Sequence, residues 1–557
     1  MADILIIPAA RFIPPELQLD FGLIPPVLLP LGTSTALDYI TDSLSYDRCF
    51  VGLHDERERV ETYINNKQLN AKTIFIETNN HLKSKQLGFT IKYMIEKSGV
   101  QPGDSIIVNF GDTIVLDEKR SLADNDKDII YVSKMTDLFR WTIIDTGGEK
   151  IKFYDKNLQG KPESGYVIAG LFYIKDAVSF LAALNKEWEY QNINAEAGKD
   201  LFYLALERYL NDRNDLQVHQ IRDGKWVDLG HLDTFYKSKA NFLNARHFNS
   251  FDIDLFWGKV RKKSVHQSKF VNEINWYLGL PAGLKSLIPN VYSSSTGDAA
   301  YIEMEYYSYP TLNQIYLFSN ISHSLWRDIF RKLLQIHAEF RNYPKGLSKE
   351  SLKVFYFEKN KQRIEDLRKD RAFLPFFTQK IIINKKSYPS LDELLNSLEA
   401  FIDKFIMNTN VSGSIIHGDY CLSNILYDIK TGVVKLIDPR GSFIDASVYG
   451  DPRYDLAKLL HSVHGFYDLI LTGNYKLEED KDKGFSFEIF KTAEHESLSQ
   501  MLIDLMQEKG INITQALAIE SLLFLSMVPL HADDPKRQKA FLMRGMELYY
   551  SIQDNKI

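Results

Sequence analysis

The chain has 557 residues, enough for several domains at roughly 100–200 residues each. Hydrophobic residues make up 45% and charged residues 25%, a globular composition that excludes wholesale disorder, collagen and coiled coil. A net charge of -6 with no long basic run excludes a dedicated nucleic-acid binder, and two cysteines, Cys49 and Cys421, cannot build a disulfide framework. The amino terminus lacks a basic region followed by a cleavable apolar stretch, and no uninterrupted apolar segment reaches about 18 residues. A cytoplasmic protein with no membrane span is expected.

Along the first 240 residues, short β-branched or apolar runs alternate with amphipathic stretches. ILIIPA (4–9), RCFVGL (48–53), TIFIE (73–77) and SIIVNF (105–110) read as strands, and LGFTIKYMIEKSG (87–99) as a helix. Such alternation predicts an α/β unit with a largely parallel sheet covered on both faces. YVIAGLFYI (166–174) is a further strand, and KDLFYLALERYLNDR (199–213) a further helix. Around 240–250 the character changes. HFNSFDID and WGKVRKKS read as adjacent strands, KFVNEINWYL (269–278) as a helix and YIEMEYY (301–307) as a strand. Helices then dominate: 323–341, 390–406 and 513–527. One β-rich block, 411–441, interrupts them, and the charged stretch EEDKDKG (478–484) reads as a solvated loop. The second half is therefore expected to be α+β.

The strongest chemical signal lies in that interruption: HGDYCLSN at 417–424, then KLIDPRG at 435–441. Phosphoryl transfer needs a carboxylate beside the acceptor hydroxyl and Mg²⁺ held by oxygen ligands near the nucleotide phosphates. Asp419 fits the first role, and Asn424 and Asp438 fit the metal roles. A loop followed by a hairpin ending in Asp438 brings the three together. The segment resembles the catalytic loop and metal-binding segment of the aminoglycoside phosphotransferase and choline kinase superfamily. That resemblance implies a protein-kinase-like fold and ATP-dependent phosphorylation of a small-molecule hydroxyl.

Upstream, alternation on the strand GKVRKKS puts Val260 and Lys262 on one face and Arg261 and Lys263 on the other. Lys262 is the candidate phosphate-binding lysine, and Glu273 on the following helix its partner, as in the kinase Lys–Glu pair. Glu303-Met304-Glu305-Tyr306 resembles the hinge whose backbone binds adenine, with Glu305 the nucleotide-site candidate. No GxGxxG precedes Lys262, only Gly258, which argues against a protein kinase. Asp455 matches a position that braces the catalytic loop, while His461 and His464 read as helix packing.

In the amino-terminal half, DILIIPAARF, NFGDTIV (109–115) and KWVDLGHLDTFYKSKANF (225–242) occur in an order that resembles sugar nucleotidyltransferases and phosphocholine cytidylyltransferases. The resemblance implies a Rossmann-like nucleotidyltransferase sheet over residues 1–243, with Asp112 and Asp228 as Mg²⁺ ligands. It also implies Lys156 at the substrate phosphate, Gly88 at the base and CTP or another NTP as nucleotide. The opening motif departs from the family. Ala9-Ala10 replaces its glycines, and Arg11 is the only basic side chain in the first 40 residues. Backbone N–H donors and cations that stabilise the charge developing in nucleotidyl transfer are thus missing. The domain is either an active divergent transferase or a degenerate binder.

The remainder, 244–557, is the kinase-like domain, with a small lobe at about 244–320 and a helical lobe at about 321–557. The combination resembles bifunctional capsule or lipopolysaccharide biosynthesis proteins, in which a kinase makes a phosphoester and a nucleotidyltransferase activates it. Two alternatives stay open: an anomeric sugar kinase joined to an NDP-sugar pyrophosphorylase, and a pseudoenzyme scaffold. The acceptor and the oligomeric state, a homodimer included, are not specified by sequence.

Overall fold

The structure, a computed structural model, describes residues 2–76, 87–116, 126–135, 138–154, 165–193, 200–213, 215–240, 242, 249–409, 411–444, 447–480 and 483–554. The chain divides into two compact units, Met1–Leu243 and Asn244–Ile557.

The first unit is built on a sheet with nine strands among the described residues. Asp3–Pro8 is central, pairing in parallel with Arg48–Leu53 on one side and Ser105–Asn109 on the other. Lys72–Phe75 extends the parallel part beyond Arg48–Leu53. The chain therefore winds outward from Asp3–Pro8 in one direction, then returns to lay Ser105–Asn109 on the opposite side. That reversal opens a crevice at the carboxyl ends of the two strands, where open α/β sheets bind ligands. Beyond it the sheet is mixed, because Tyr166–Ile174 runs antiparallel to Ser105–Asn109. The central strand is apolar throughout, and both its faces are covered, as a parallel strand requires. Ile4 and Ile6 share a core with Ile91, Met94 and Ile95 of the helix Leu87–Ser98, and Leu5 and Ile7 are buried on the other face.

In the second unit, four antiparallel strands form the small lobe in the order Asn249–Asp254, Lys259–Ser264, Tyr301–Glu305, Val291–Ser295. The helix Gln267–Gly279 follows the second of these. Helices make up most of the remaining chain. His323–Arg341 begins where the Ser322 hydroxyl accepts the Leu325 N–H, and its apolar stripe, from Trp326 through Leu333 to Phe340, lies in the core. Strands Ile425–Asp428 and Val433–Leu436 form the hairpin between Asn424 and Asp438. The stretch Ile513–His531 is long and apolar enough, by length and composition, to cross a membrane, with mean hydropathy 1.6. It is 83% buried inside this unit, where it serves as a core helix. The charged stretch read as a loop is instead largely strand: 478–480 ends Tyr475–Asp480, which pairs with Gly484–Ile489. Tyr475 and Leu477 alternate with Lys476 and Glu478 there, which gives the strand one face toward the core and one toward water.

One buried histidine ties these helices together. The His337 ring, on His323–Arg341, donates through Nε2 to the carbonyl oxygen of Pro452, 2.9 Å away. Burial pushes its pKa down to about 4. A folded state that holds the ring neutral loses stability once the unfolded chain begins to bind protons, and the loss continues until the folded pKa is reached. Lowering the pH from 7.5 to 5 is therefore expected to cost about 2 kcal/mol through this residue. Urea melts at the two pH values, in wild type and in His337→Gln, should show a shallower pH dependence in the variant.

Candidate active site

The second unit brings Lys262, Glu273 and Asp438 into contact. Lys262 Nζ lies 2.8 and 3.0 Å from the Glu273 carboxylate oxygens and 2.8 Å from Asp438 Oδ1. The lysine side chain is only 3% exposed. Burial alone pulls its pKa down, but Asp438 and Glu273 outweigh it, so the ammonium is held charged. Glu273, Trp276 and Tyr277 share one face of their helix at helical spacing. Trp276 Nε1 donates to the Ile416 carbonyl at 2.7 Å, and the Tyr277 hydroxyl accepts the Asp438 N–H at 3.1 Å. This helix therefore positions Lys262, the entry to the 417–424 loop and Asp438 at once. Gly441 makes its approach possible: φ is +65°, and a Cβ would fall 2.0 Å from the Asn272 carbonyl oxygen.

The 417–424 loop is held from beneath. The fully buried Asp455 accepts the N–H groups of His417 and Gly418 at 2.7 and 2.8 Å. Asp419 then divides its oxygens between two partners. Asn424 Nδ2 donates to Oδ2 at 2.9 Å, and Lys458 Nζ lies 2.9 Å from Oδ1. Asn424 Oδ1 and Asp438 Oδ2 carry no hydrogen bond among the described residues, and Asp438 sits with φ +55° and a side chain 42% exposed. Two open, hard oxygen donors fit Mg²⁺, which completes its octahedron with phosphate and water oxygens. Among the described residues no three His, Cys, Asp or Glu side chains cluster as a self-sufficient metal site. His461 stacks on Tyr467 and is buried, and His464 Nδ1 lies 2.8 Å from Glu520 Oε2.

Glu305 ends the strand Tyr301–Glu305. Its N–H donates to the Asn290 carbonyl at 2.9 Å, and its carboxylate accepts Asn290 Nδ2 at 2.8 Å. The Tyr306 N–H goes to the Gly258 carbonyl at 2.8 Å. Both N–H groups and the Glu305 carboxylate are thus engaged within the sheet. Lys458 and Tyr277 were not singled out from sequence. Lys458 lies one helical turn beyond Asp455, which is the only local signal for it.

In the first unit, Asp112 follows the strand Ser105–Asn109, at the crevice described above. Trp226–Asp228 pairs antiparallel with Thr113–Val115, with Asp228 opposite Thr113. The two carboxylates meet beside Gly230, where a Cβ would lie 2.8 Å from Asp112 Oδ2 and 3.4 Å from Asp228 Oδ1. Asp228 Oδ2 is already engaged by His231 Nδ1 at 2.8 Å and by the Thr234 hydroxyl, and Oδ1 by the Gly230 N–H at 3.3 Å. The pair thus fits a divalent cation only partly. The opening loop runs from the strand end at Pro8 into the helix Pro15–Phe21, with Ala9 buried and Arg11 exposed. The Ala9 N–H goes to the Gly52 carbonyl at 2.9 Å. Gly88 is a packing position: a Cβ would come within 2.4 Å of the Phe202 nitrogen, and its N–H donates to Asp200 Oδ1 at 2.9 Å. Lys156 lies outside the described residues.

No curated protein matches the chain. Solved structures similar to part of it include a protein from Bacillus anthracis described as a glucose-1-phosphate thymidylyltransferase, with 16% identity and a TM-score of 0.35 over 44% of this chain and 97% of that one. A nucleoside-diphosphate-sugar pyrophosphorylase from Vibrio cholerae RC9 has 15% identity and a TM-score of 0.34, over 43% of this chain and 99% of that one. A CTP:phosphocholine cytidylyltransferase from Streptococcus pneumoniae has 12% identity and a TM-score of 0.34, over the same shares. Residues 281–475, which contain Asp419, Asn424, Asp438, Asp455 and Lys458, match the phosphotransferase enzyme family, and the second unit therefore carries a domain of that family.

Proposed function

We propose that the second unit transfers the γ-phosphoryl group of ATP to a hydroxyl of a small metabolite. The observation that carries this reading is the convergence of Lys262, Asp438, Asn424 and Asp419 on one cleft, with the lysine held charged. Lys262 would pair with the nucleotide phosphates, held in place by Glu273. Asn424 Oδ1 and Asp438 would hold Mg²⁺, which neutralises charge on the β- and γ-phosphates. Asp419 would orient the acceptor hydroxyl. As the acceptor oxygen bonds to the γ-phosphorus, the bond to the β,γ-bridging oxygen breaks, ADP leaves and the hydroxyl proton passes to Asp419.

For the first unit we propose binding of a nucleotide or phosphorylated ligand in the crevice beside Asp112 and Asp228, with nucleotidyl transfer slow or absent. The carboxylate pair stands at the strand-order reversal, whereas the opening loop has alanines in place of glycines and one cation, Arg11. A kinase product activated as an NDP derivative would serve a surface polysaccharide such as capsule, a reading that rests on the fused architecture.

Asp419→Asn is expected to leave ATP affinity nearly intact while lowering kcat about 100- to 10,000-fold, the usual contribution of a general base. Asp438→Ala should instead weaken Mg·ATP binding. Near-normal turnover by Asp419→Asn, in a coupled ADP-release assay across hydroxylated acceptors, would assign the base elsewhere. For the first unit, CTP and the other NTPs should bind with Mg²⁺ in calorimetry of an Asp438→Ala background, in which the kinase site's own Mg·ATP binding is weakened. Adding Asp112→Ala should weaken that signal. A transferase kcat of roughly 1–1000 per second would show that the opening loop is catalytically sufficient after all.

A further inference from the structure

Beside Asp419, on the Lys458 side, lies a group of basic side chains, Arg440, Lys359 and Arg363, that form no ion pair among the described residues. Arg440 crosses directly over the catalytic loop. Its N–H donates to the His417 carbonyl at 3.0 Å, and a Cβ on Gly418 would fall 2.8 Å from Arg440 Cβ. Its guanidinium reaches the Tyr454 hydroxyl at 3.2 Å and sits 5.3 Å from the centre of the Phe355 ring. Lys359 Nζ approaches the same ring at 4.0 Å. Arg363, one turn further along the helix Lys359–Asp366, makes a single hydrogen bond, to the Ser526 carbonyl at 3.4 Å. Among the described residues, no carboxylate forms an ion pair with Lys359, Arg363 or Arg440. Of the carboxylates nearest in sequence to Arg363, Glu365 pairs with Arg368 and Asp366 with Lys369, although Asp366 still attracts Arg363 from beyond ion-pair distance.

The segment that delivers Lys359 is built for this place. Val354–Glu358 is a π-helical turn, a form that is rare and recurs at functional sites. Its rings are pinned. Phe355 stacks on Phe443 with centroids 3.8 Å apart, and the Tyr356 hydroxyl donates to the buried Asp451 carboxylate at 2.9 Å. The cations thus stand on a rigid aromatic floor, not on a mobile surface. Like charges gathered over apolar rings repel one another, a cost usually seen where a ligand neutralises it. Burial, and after it Arg440, Arg363 and Lys458, push the Lys359 pKa down to about 5, so the amine is largely uncharged at neutral pH until an anion seated beside it recharges it.

We infer that the phosphoryl acceptor is itself an anion, whose phosphate or carboxylate group is seated by Lys359, Arg363 and Arg440 while its hydroxyl meets Asp419. The inference rests on the kinase reading and narrows it. The nucleotide does not account for these cations. Lys262 already serves its side of the cleft, and the two Asp419 oxygens separate the Asn424 side from the Lys458 side. A quaternary ammonium acceptor needs open aromatic faces and nearby carboxylates. Here Lys359 and Arg440 already cover the Phe355 face.

The test is calorimetry on the full chain with Mg²⁺ and a non-hydrolysable ATP analogue filling the nucleotide site. Glycerol 3-phosphate, glycerate, glycerol and choline are the probes. At least one of the two anions is expected to bind about tenfold or more tightly than glycerol and choline. Glycerol 3-phosphate exceeding glycerate assigns the group as phosphate, and the reverse order as carboxylate. Arg440→Met and Lys359→Met, each checked for an unchanged melting temperature, should weaken the anion about tenfold and leave the analogue's affinity unaltered. Absence of anion binding, or glycerol or choline binding as tightly, overturns the inference whether or not the variants fold. Failure of the analogue itself to bind would instead remove the kinase reading beneath it.

Discussion

An ammonium group cannot be buried alone, and the second unit is organised around that constraint. Lys262 is nearly enclosed, so two carboxylates must come to it. Glu273 arrives from the adjacent helix, 11 residues on, and Asp438 from a hairpin 176 residues away. Satisfying one charge thereby fixes the small lobe, its helix and the metal loop with respect to each other. The same helix that supplies Glu273 also presents Trp276 to the catalytic-loop entry and Tyr277 to the Asp438 N–H. A group that stabilises the empty cleft by pairing with Asp438 is also the one that would face a nucleotide's phosphates, so electrostatic strength is stored in place before any ligand arrives.

What could be read from sequence was what the chain encodes locally. Residues 323–341 show a helix because their apolar positions recur at helical spacing after a capping serine. Asp419, Asn424 and Asp438 are legible because a short loop and a hairpin carry all three. Lys262 follows from strand alternation, and its pairing with Glu273 from the helix that comes next. The partners of Glu305 are not legible in the same way. A register irregularity between Val291 and Ser293 brings the Asn290 carbonyl opposite it, and no residue pattern announces that. Gly88 is similar. A glycine needed for close packing against Phe202 is indistinguishable, in one sequence, from a glycine that admits a ligand. Lys458, Lys359, Arg363 and Arg440 come from three separate segments, so their association exists only in three dimensions.

The first unit presents the opposite balance. Its sheet keeps the strand reversal that creates a ligand crevice, and its two aspartates still meet there. The opening loop leads from Pro8 into a proline-led helix, and its Ala9 N–H is spent on the Gly52 carbonyl. Asp228 spends its oxygens on His231, Thr234 and Gly230. Architecture and first ligand sphere can thus part company, since burial of an apolar central strand preserves the one without any demand on the other.

The π turn at Val354–Glu358 carries an implication for how such an enzyme diversifies. A π turn is an α-helix holding one surplus residue, and the wide turn absorbs it, so the helix beyond keeps its register. Excising that residue would let an ordinary α-helical turn take its place, with Lys359 and Arg363 still on the same face. What would change is the turn itself, where Phe355 stacks on Phe443 and Tyr356 reaches Asp451. On the anionic-acceptor reading, the aromatic floor beneath the basic side chains could therefore be remodelled by a one-codon deletion that substitutes none of them.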